Sequence, residues 1–163
     1  MRQRICIAIA LALNPRLIIM DEPTTALDVV VQRDIIEQIV ELKSRLGFSV
    51  LFITHDLGLM IEFCDRIGVM YSGELVEVAP AESILENALH PYTRALGRSF
   101  PPLTGPRTRM EGIPGTPPDL RSLPQGCRFA PRCPHAMDIC RVDNPELRYY
   151  PQNRSEAACH LLN

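Results

Sequence analysis

Three observations predict an α/β fold with parallel strands, followed by a small irregular cysteine-rich extension. Two short runs, "RLIIMDEP" around Leu17–Asp21 and "SVLFITH" (Ser49–His55), are continuously apolar, the pattern of strands buried on both faces. A helical pattern separates them, and strand–helix–strand at this spacing implies a parallel pair joined by a right-handed crossover. Beyond residue 100 the composition shifts to proline and glycine, and four of the six cysteines gather near the end.

The elements follow in order. "MRQRICIAIALALNP" has the basic start, apolar run and small residues of a secretory signal peptide, but it feeds directly into a strand. It is therefore read as an alanine-rich helix over residues 1–13 that stops at Asn14-Pro15. Asp28 caps a helix over 29–46, where Val31, Ile35, Ile39 and Leu42 recur at three- and four-residue steps and Gly47 is the stop signal. A short helix over 57–64 precedes two strands, "RIGVMYSG" and "ELVEVA", around a turn at Ser72-Gly73. "AESILENALHPYTRALGRSF" reads as two helices broken at Pro91. The implied divisions are a domain over 1–100, a Pro/Gly-rich connector over 101–126 and a cysteine-rich tail over 127–163.

Composition narrows the function. The 163 residues are 46% hydrophobic and 22% charged, which fits a globular chain. The net charge of −2 gives no electrostatic reason to expect nucleic acid as a partner. No stretch is apolar for long enough to span a membrane.

Both predicted parallel strands end in chemistry. The first delivers Asp21 and Glu22 to its tip, the second Thr54 and His55, and a crossover puts both tips on the same side of the sheet, where ligands of open α/β sheets bind. Phosphoryl transfer to water needs a magnesium ligand, a group that orients the water and a contact for the γ-phosphate, and two carboxylates and a histidine supply such groups. Strand-end residues that merely cap the following helices are the plainer alternative.

The pieces and their order resemble the ATP-binding-cassette (ABC) ATPases. "LIIMDEP" is similar to that family's Walker B strand, "TALD" to its D-loop, "FITHD" to its histidine switch, and "MRQR" to the end of its signature motif, with Met1 in the last signature position. The resemblance implies the C-terminal part of a P-loop NTPase domain. Asp21 would hold Mg2+, Glu22 would polarise the attacking water, His55 would contact the γ-phosphate of ATP, and Asp28 would lie at a dimer interface. A phosphate-cradling G-x-x-x-x-G-K-[S/T] loop is not in the sequence, where the sole lysine, Lys43, follows Leu42. The expectation is a truncated chain, inactive alone, with uncovered strand edges and apolar faces.

The tail cysteines, Cys127, Cys133, Cys140 and Cys159, are spaced C-x5-C-x6-C-x18-C, whereas Cys6 and Cys64 sit on apolar segments and are expected to be buried. A tail so short and proline-rich is expected to need a staple. Disulfides do not suit a reducing compartment; a zinc site with four thiolate ligands stays open although structural zinc favours closer pairs than these, and an iron–sulfur cluster, which accepts wider spacing, is placed slightly ahead of it. "HPYTRAL", "GIPGTPPDL" and "CRFAPRCPHAMDIC" resemble the C-terminal extension of oligopeptide/dipeptide importer ATPases. That resemblance implies a [4Fe-4S] cluster on the four tail cysteines. It also implies pairing with a homologous ATPase subunit on membrane permeases at the cytoplasmic face of the membrane, served by an extracytoplasmic peptide-binding protein. Arg128 and Arg132 are expected to face solvent. A non-enzymatic metal-binding fragment is the alternative function; a redox enzyme is disfavoured because no C-x-x-C pair occurs.

Overall fold

A computed structural model of the chain describes residues 2–24, 28–99 and 112–162. The chain is mixed α/β, and it divides after Phe63 into two compact units.

The first unit holds α1 (Arg2–Leu11), β1 (Leu17–Asp21), α2 (Val29–Leu46), β2 (Ser49–Ile53) and α3 (Leu57–Phe63). β1 and β2 pair in parallel, Leu17 opposite Ser49 through Asp21 opposite Ile53, as the crossover pattern requires. α2 starts and stops where its sequence says. The Asp28 carboxylate accepts the Val31 N–H at 3.0 Å, and Gly47 takes a left-handed φ of 72° while its N–H reaches the Lys43 carbonyl. The core is Ile18 and Met20 of β1, Ile35 and Ile39 of α2, and Phe48, with Ile7 and Leu11 of α1 packed partly against it.

One expectation changes here. β1 is buried on one face only: Leu17 and Ile19 point outward at 52% and 61% exposure, and Leu51 and Ile53 of β2 do likewise. The continuous apolar run asks for a covering layer on both faces, and among the described residues only one face has it. Cys6 is exposed, not enclosed as expected, because α1 carries apolar residues on the side away from the core too: Ile5 and Ile9 are exposed; Cys64 is half-buried.

The second unit is an antiparallel sheet in the order β3-β4-β6-β5, formed by β3 (Arg66–Tyr71), β4 (Glu74–Pro80), β5 (Arg148–Tyr150) and β6 (Ser155–Ala157). Ser72 and Gly73 both have positive φ, 47° and 86°, which is the twist a two-residue hairpin loop needs, so the β3–β4 turn lies where the sequence puts it. α4 (Ala81–Glu86), α5 (Pro91–Arg98) and the one-turn α6 (Ile139–Val142) complete the unit. The break at Pro91 is a capped start: the proline takes the first helical position and the His90 ring accepts the Tyr92 N–H.

The tail is not an irregular appendage. β6 pairs with β4, Glu77 opposite Ala157 and Val78 opposite Glu156. Phe129, Cys140, Ser155, Ala157 and Ala158 are all buried. The tail gains a core by sharing that of the hairpin, which removes the need for a staple that its length suggested. The connector is free of helix and strand over 112–126.

Candidate functional site

The two parallel strand tips carry the first constellation. Asp21 is the exposed last residue of β1. Glu22 follows with φ at 45°, a left-handed conformation that glutamate rarely adopts, and its N–H donates to the Ile53 carbonyl at 2.9 Å, carrying the ladder one residue past β1. That turn aims the Glu22 carboxylate across to the next strand. His55 Nδ1–H donates to Glu22 Oε1 at 2.9 Å. This hydrogen bond, then the carboxylate's charge, then that of Asp56, raises the His55 pKa against the small opposing effect of burial. A carboxylate and an imidazole held together in reach of solvent can orient a water and exchange a proton with it.

The surrounding turns are locally capped. Asp56 accepts the Leu59 N–H at the start of α3, and the Asp56 N–H donates to the Thr54 hydroxyl. Thr24 is buried, and its hydroxyl accepts from Gln32 Nε2 at 2.9 Å. Asp28 is the cap of α2, which realises the reading of it as a helix start. Residues 25–27 of the stretch read as a D-loop, and Met1, read as the end of a signature motif, lie outside the described residues.

The four tail thiols form the second constellation. The Cys127 N–H donates to the Cys140 carbonyl at 2.9 Å, a clasp that joins the start of the tail to α6. Burial raises the pKa of Cys127, Cys133 and Cys159, and the other thiols add to each: Cys159 feels Cys127, Cys133 and Cys140. The four sulfurs therefore share one neighbourhood. They do not close into a metal-ion cage, since no three His, Cys, Asp or Glu side chains among the described residues are arranged to hold one. Tetrahedral zinc, with Zn–S bonds of ~2.3 Å, would need the sulfurs within about 4 Å of each other. The arrangement does not fit zinc.

Arg128 and Arg132 do not face solvent as expected. Arg128 pairs with Glu74 at 2.6 Å and donates to the Ser72 carbonyl; Arg132 donates to the Ile113 and Pro114 carbonyls and to the Tyr71 hydroxyl, and lies over the Tyr71 ring. Both side chains bolt the tail to the hairpin, and Arg132 also ties down the connector at Ile113 and Pro114. Alongside them Phe129, 1% exposed, packs edge-on to Tyr71 with centroids 5.2 Å apart, and against Tyr92 and His90.

A family profile described as the C-terminal region of oligopeptide/dipeptide transporters matches residues 76–140, the stretch built around this aromatic cluster. Another, described as an AAA domain, putative AbiEii toxin, Type IV TA system, matches residues 2–62. The chain is 51% identical over 164 residues to a probable peptide ABC transporter ATP-binding protein of Sinorhizobium fredii, covering 100% of this chain and 49% of that protein. It is 47% identical to the oligopeptide transport ATP-binding protein AppD of Bacillus subtilis, over 95% of this chain and 47% of that one. To the dipeptide transport ATP-binding protein DppD of Escherichia coli it is 43% identical, over 98% and 49%. The chain belongs to the oligopeptide/dipeptide ABC transporter ATP-binding family. It spans about half the length of the curated relatives it matches. A solved ATP-binding cassette of an ABC transporter, MJ1267, resembles it at a TM-score of 0.50 with 26% identity, over 58% of this chain and 37% of that one.

Within this family member, sequence reasoning missed several residues that build the sites. Glu77 is fully buried on β4, and its two carboxylate oxygens accept the N–H groups of Leu89 and His90 at 2.7 and 2.9 Å. It thereby fixes the loop that presents "HPY". A charged residue flanked by valines inside the strand was the available signal. Gly126 is another. A Cβ there would overlap the Cys140 carbonyl oxygen, with Arg141 C at 2.7 Å and Val142 N at 2.8 Å, all backbone atoms. Gly126→Ala is expected to break the Cys127–Cys140 clasp and to cost about 1–3 kcal/mol, as overpacking does. Chemical denaturation checks the cost, and accelerated alkylation of the tail thiols reports the opened clasp.

Proposed function

We propose that this chain carries the hydrolytic carboxylates and switch histidine of an ATP-driven peptide importer subunit. The observation that carries the reading is the Glu22–His55 contact across adjacent parallel strand tips. Its support is the 43–51% identity, along nearly the whole chain, to peptide-transport ATP-binding proteins.

On this reading Asp21 ends the Walker B strand and serves Mg2+, which keeps several waters and needs only one or two carboxylates beside the substrate phosphates. When bound, that ion would offset the negative charge of the phosphates. Glu22 orients the attacking water and draws its proton. His55 holds that carboxylate in place from one side and reaches the γ-phosphate from the other. Asp28, at the start of α2, serves the contact with a second ATPase subunit. The phosphate-cradling loop is not within these 163 residues, so the site needs it from another segment. Two such subunits would dock on membrane permeases at the cytoplasmic face, fed by an extracytoplasmic peptide-binding protein. In the tail, Cys127, Cys133, Cys140 and Cys159 would hold a [4Fe-4S] cluster, which as a cross-link would reinforce a tail already packed on the hairpin.

The test is magnesium-ATP hydrolysis by the chain alone and by the chain supplied with a segment bearing G-x-x-x-x-G-K-[S/T]. The combination is expected to hydrolyse ATP, and Glu22→Gln to lower its rate by about 10²–10⁴-fold, the range for losing a general base. Hydrolysis that survives Glu22→Gln sinks the reading.

A further inference from the structure

We infer that Gln32 is a positioning residue for Glu22, acting through the buried hydroxyl of Thr24. The inference rests on the role of Glu22 proposed above. It begins from the φ of 45° at Glu22, a conformation that persists only where neighbouring structure enforces it. Upstream, the Glu22 N–H is tied to the end of β2. Downstream comes Pro23, whose ring fixes its own φ and restricts the residue before it. Proline is a stiff link, so rotation at Glu22 must swing Thr24. Thr24 cannot swing freely: it is 5% exposed, and its hydroxyl is bound to Gln32 Nε2 at 2.9 Å.

The anchor at the other end is firm. Gln32 lies in the first turn of α2, where its own N–H donates to the Asp28 carbonyl and the Asp28 side chain caps the turn. One turn further, Ile35 enters the core beneath β1. The chain of restraint runs from core to α2, from α2 to Thr24, and through Pro23 to the carboxylate that meets His55. Neither Gln32 nor Thr24 is among the groups to which the reaction is assigned above. Their service is to fix where Glu22 points.

The 15N-labelled full-length chain provides the test, with the ring nitrogens of His55 observed at fixed pH and assigned by His55→Gln. Glu22→Gln defines the His55 signals when the partner carboxylate is gone. Gln32→Leu and Thr24→Val, which remove the bond from either end, are expected to shift His55 toward those signals, and Thr24→Ser to leave them as in the unsubstituted chain. Combining the two disruptive substitutions should add nothing. In the magnesium-ATP assay with the complementing segment, both should lower kcat by up to about 100-fold, the cost of a small misplacement, with KM unchanged. His55 signals unmoved in Gln32→Leu would overturn the inference, and a lowered melting temperature alone would mark the bond as structural. Gln32 is half-exposed, so its variant carries the test even where Thr24→Val does not fold. The His55 signals judge the positioning by themselves; Glu22-independent hydrolysis would instead sink the catalytic reading.

Discussion

Phe129→Ala is expected to destabilise the second unit by about 3–5 kcal/mol, the cost of emptying a fully buried aromatic site. The ring is 1% exposed and touches three rings from two other segments: Tyr71 of β3, and His90 and Tyr92 at the start of α5. Each aromatic pair adds about 0.5–1.5 kcal/mol beyond burial, so a leucine, which restores volume but not the ring, should recover only part of the loss. All four tyrosines lie in this unit, at 71, 92, 149 and 150, and the chain has no tryptophan. Tyrosine fluorescence during urea unfolding therefore reports the second unit alone. A loss below about 1 kcal/mol would mean that Phe129 does not anchor the tail, leaving Arg128 and Arg132 to do so.

Acidification is expected to weaken the same unit through His90. The ring is buried, and burial, with the nearby Arg94 charge, pushes its pKa down to about 4. Its Nδ1 accepts the Tyr92 N–H, so that nitrogen is unprotonated in the fold. Around it stand the Glu77 carboxylate, held by the His90 and Leu89 amides, Arg94, whose Nε donates to the Ala88 carbonyl, and the ring of Phe129. An unfolded histidine takes up a proton near 6.5. Between that value and 4 the unfolded chain binds more protons than the folded one, so stability falls as pH drops through this window, by about 3 kcal/mol in total. Below 4 the loss is complete. His90→Asn keeps an acceptor for the Tyr92 N–H but cannot titrate there. Its stability measured from pH 7 to 4 should fall less than that of the unsubstituted chain by about that amount. Parallel curves would show that His90 does not govern the acid response.

The first unit was largely legible, because each of its signals is local. The apolar run ending at Asp21, the Asp28 cap and Gly47 stop, and the Ser72-Gly73 turn of the next unit each depend on a few adjacent residues, and each formed its element where it was read, although the strand is covered on one face only. The strand tips were legible for the same reason, since a parallel pair fixes which ends coincide. What could not be read was the left-handed turn at Glu22, which depends on Thr24 and Gln32 together. The tail was misread because its strands are three residues each and gain meaning only from β4, far back in the chain. "HPYTRAL" stood out as a family mark, but its physical role needed Phe129, which no spacing rule connects to it. The partners of Arg128 and Arg132 are mostly carbonyls and a hydroxyl, which leave no charge pattern to detect.

The pairing of β4 with β6 also sets an order of events as the chain is made. Val78 meets Glu156 across nearly half the sequence, and the β3–β4 hairpin by itself is at best marginal in water. Ribosomes release residues at roughly 5–20 per second, so the hairpin waits seconds for its third strand. Contacts this distant make for slow folding, and the first unit, whose strand pair is closed by a single helix, has a head start. During that interval β4 has an open edge and Phe129 has no finished pocket. The second unit is thus the window in which a holding chaperone, or the wrong strand, would find this protein.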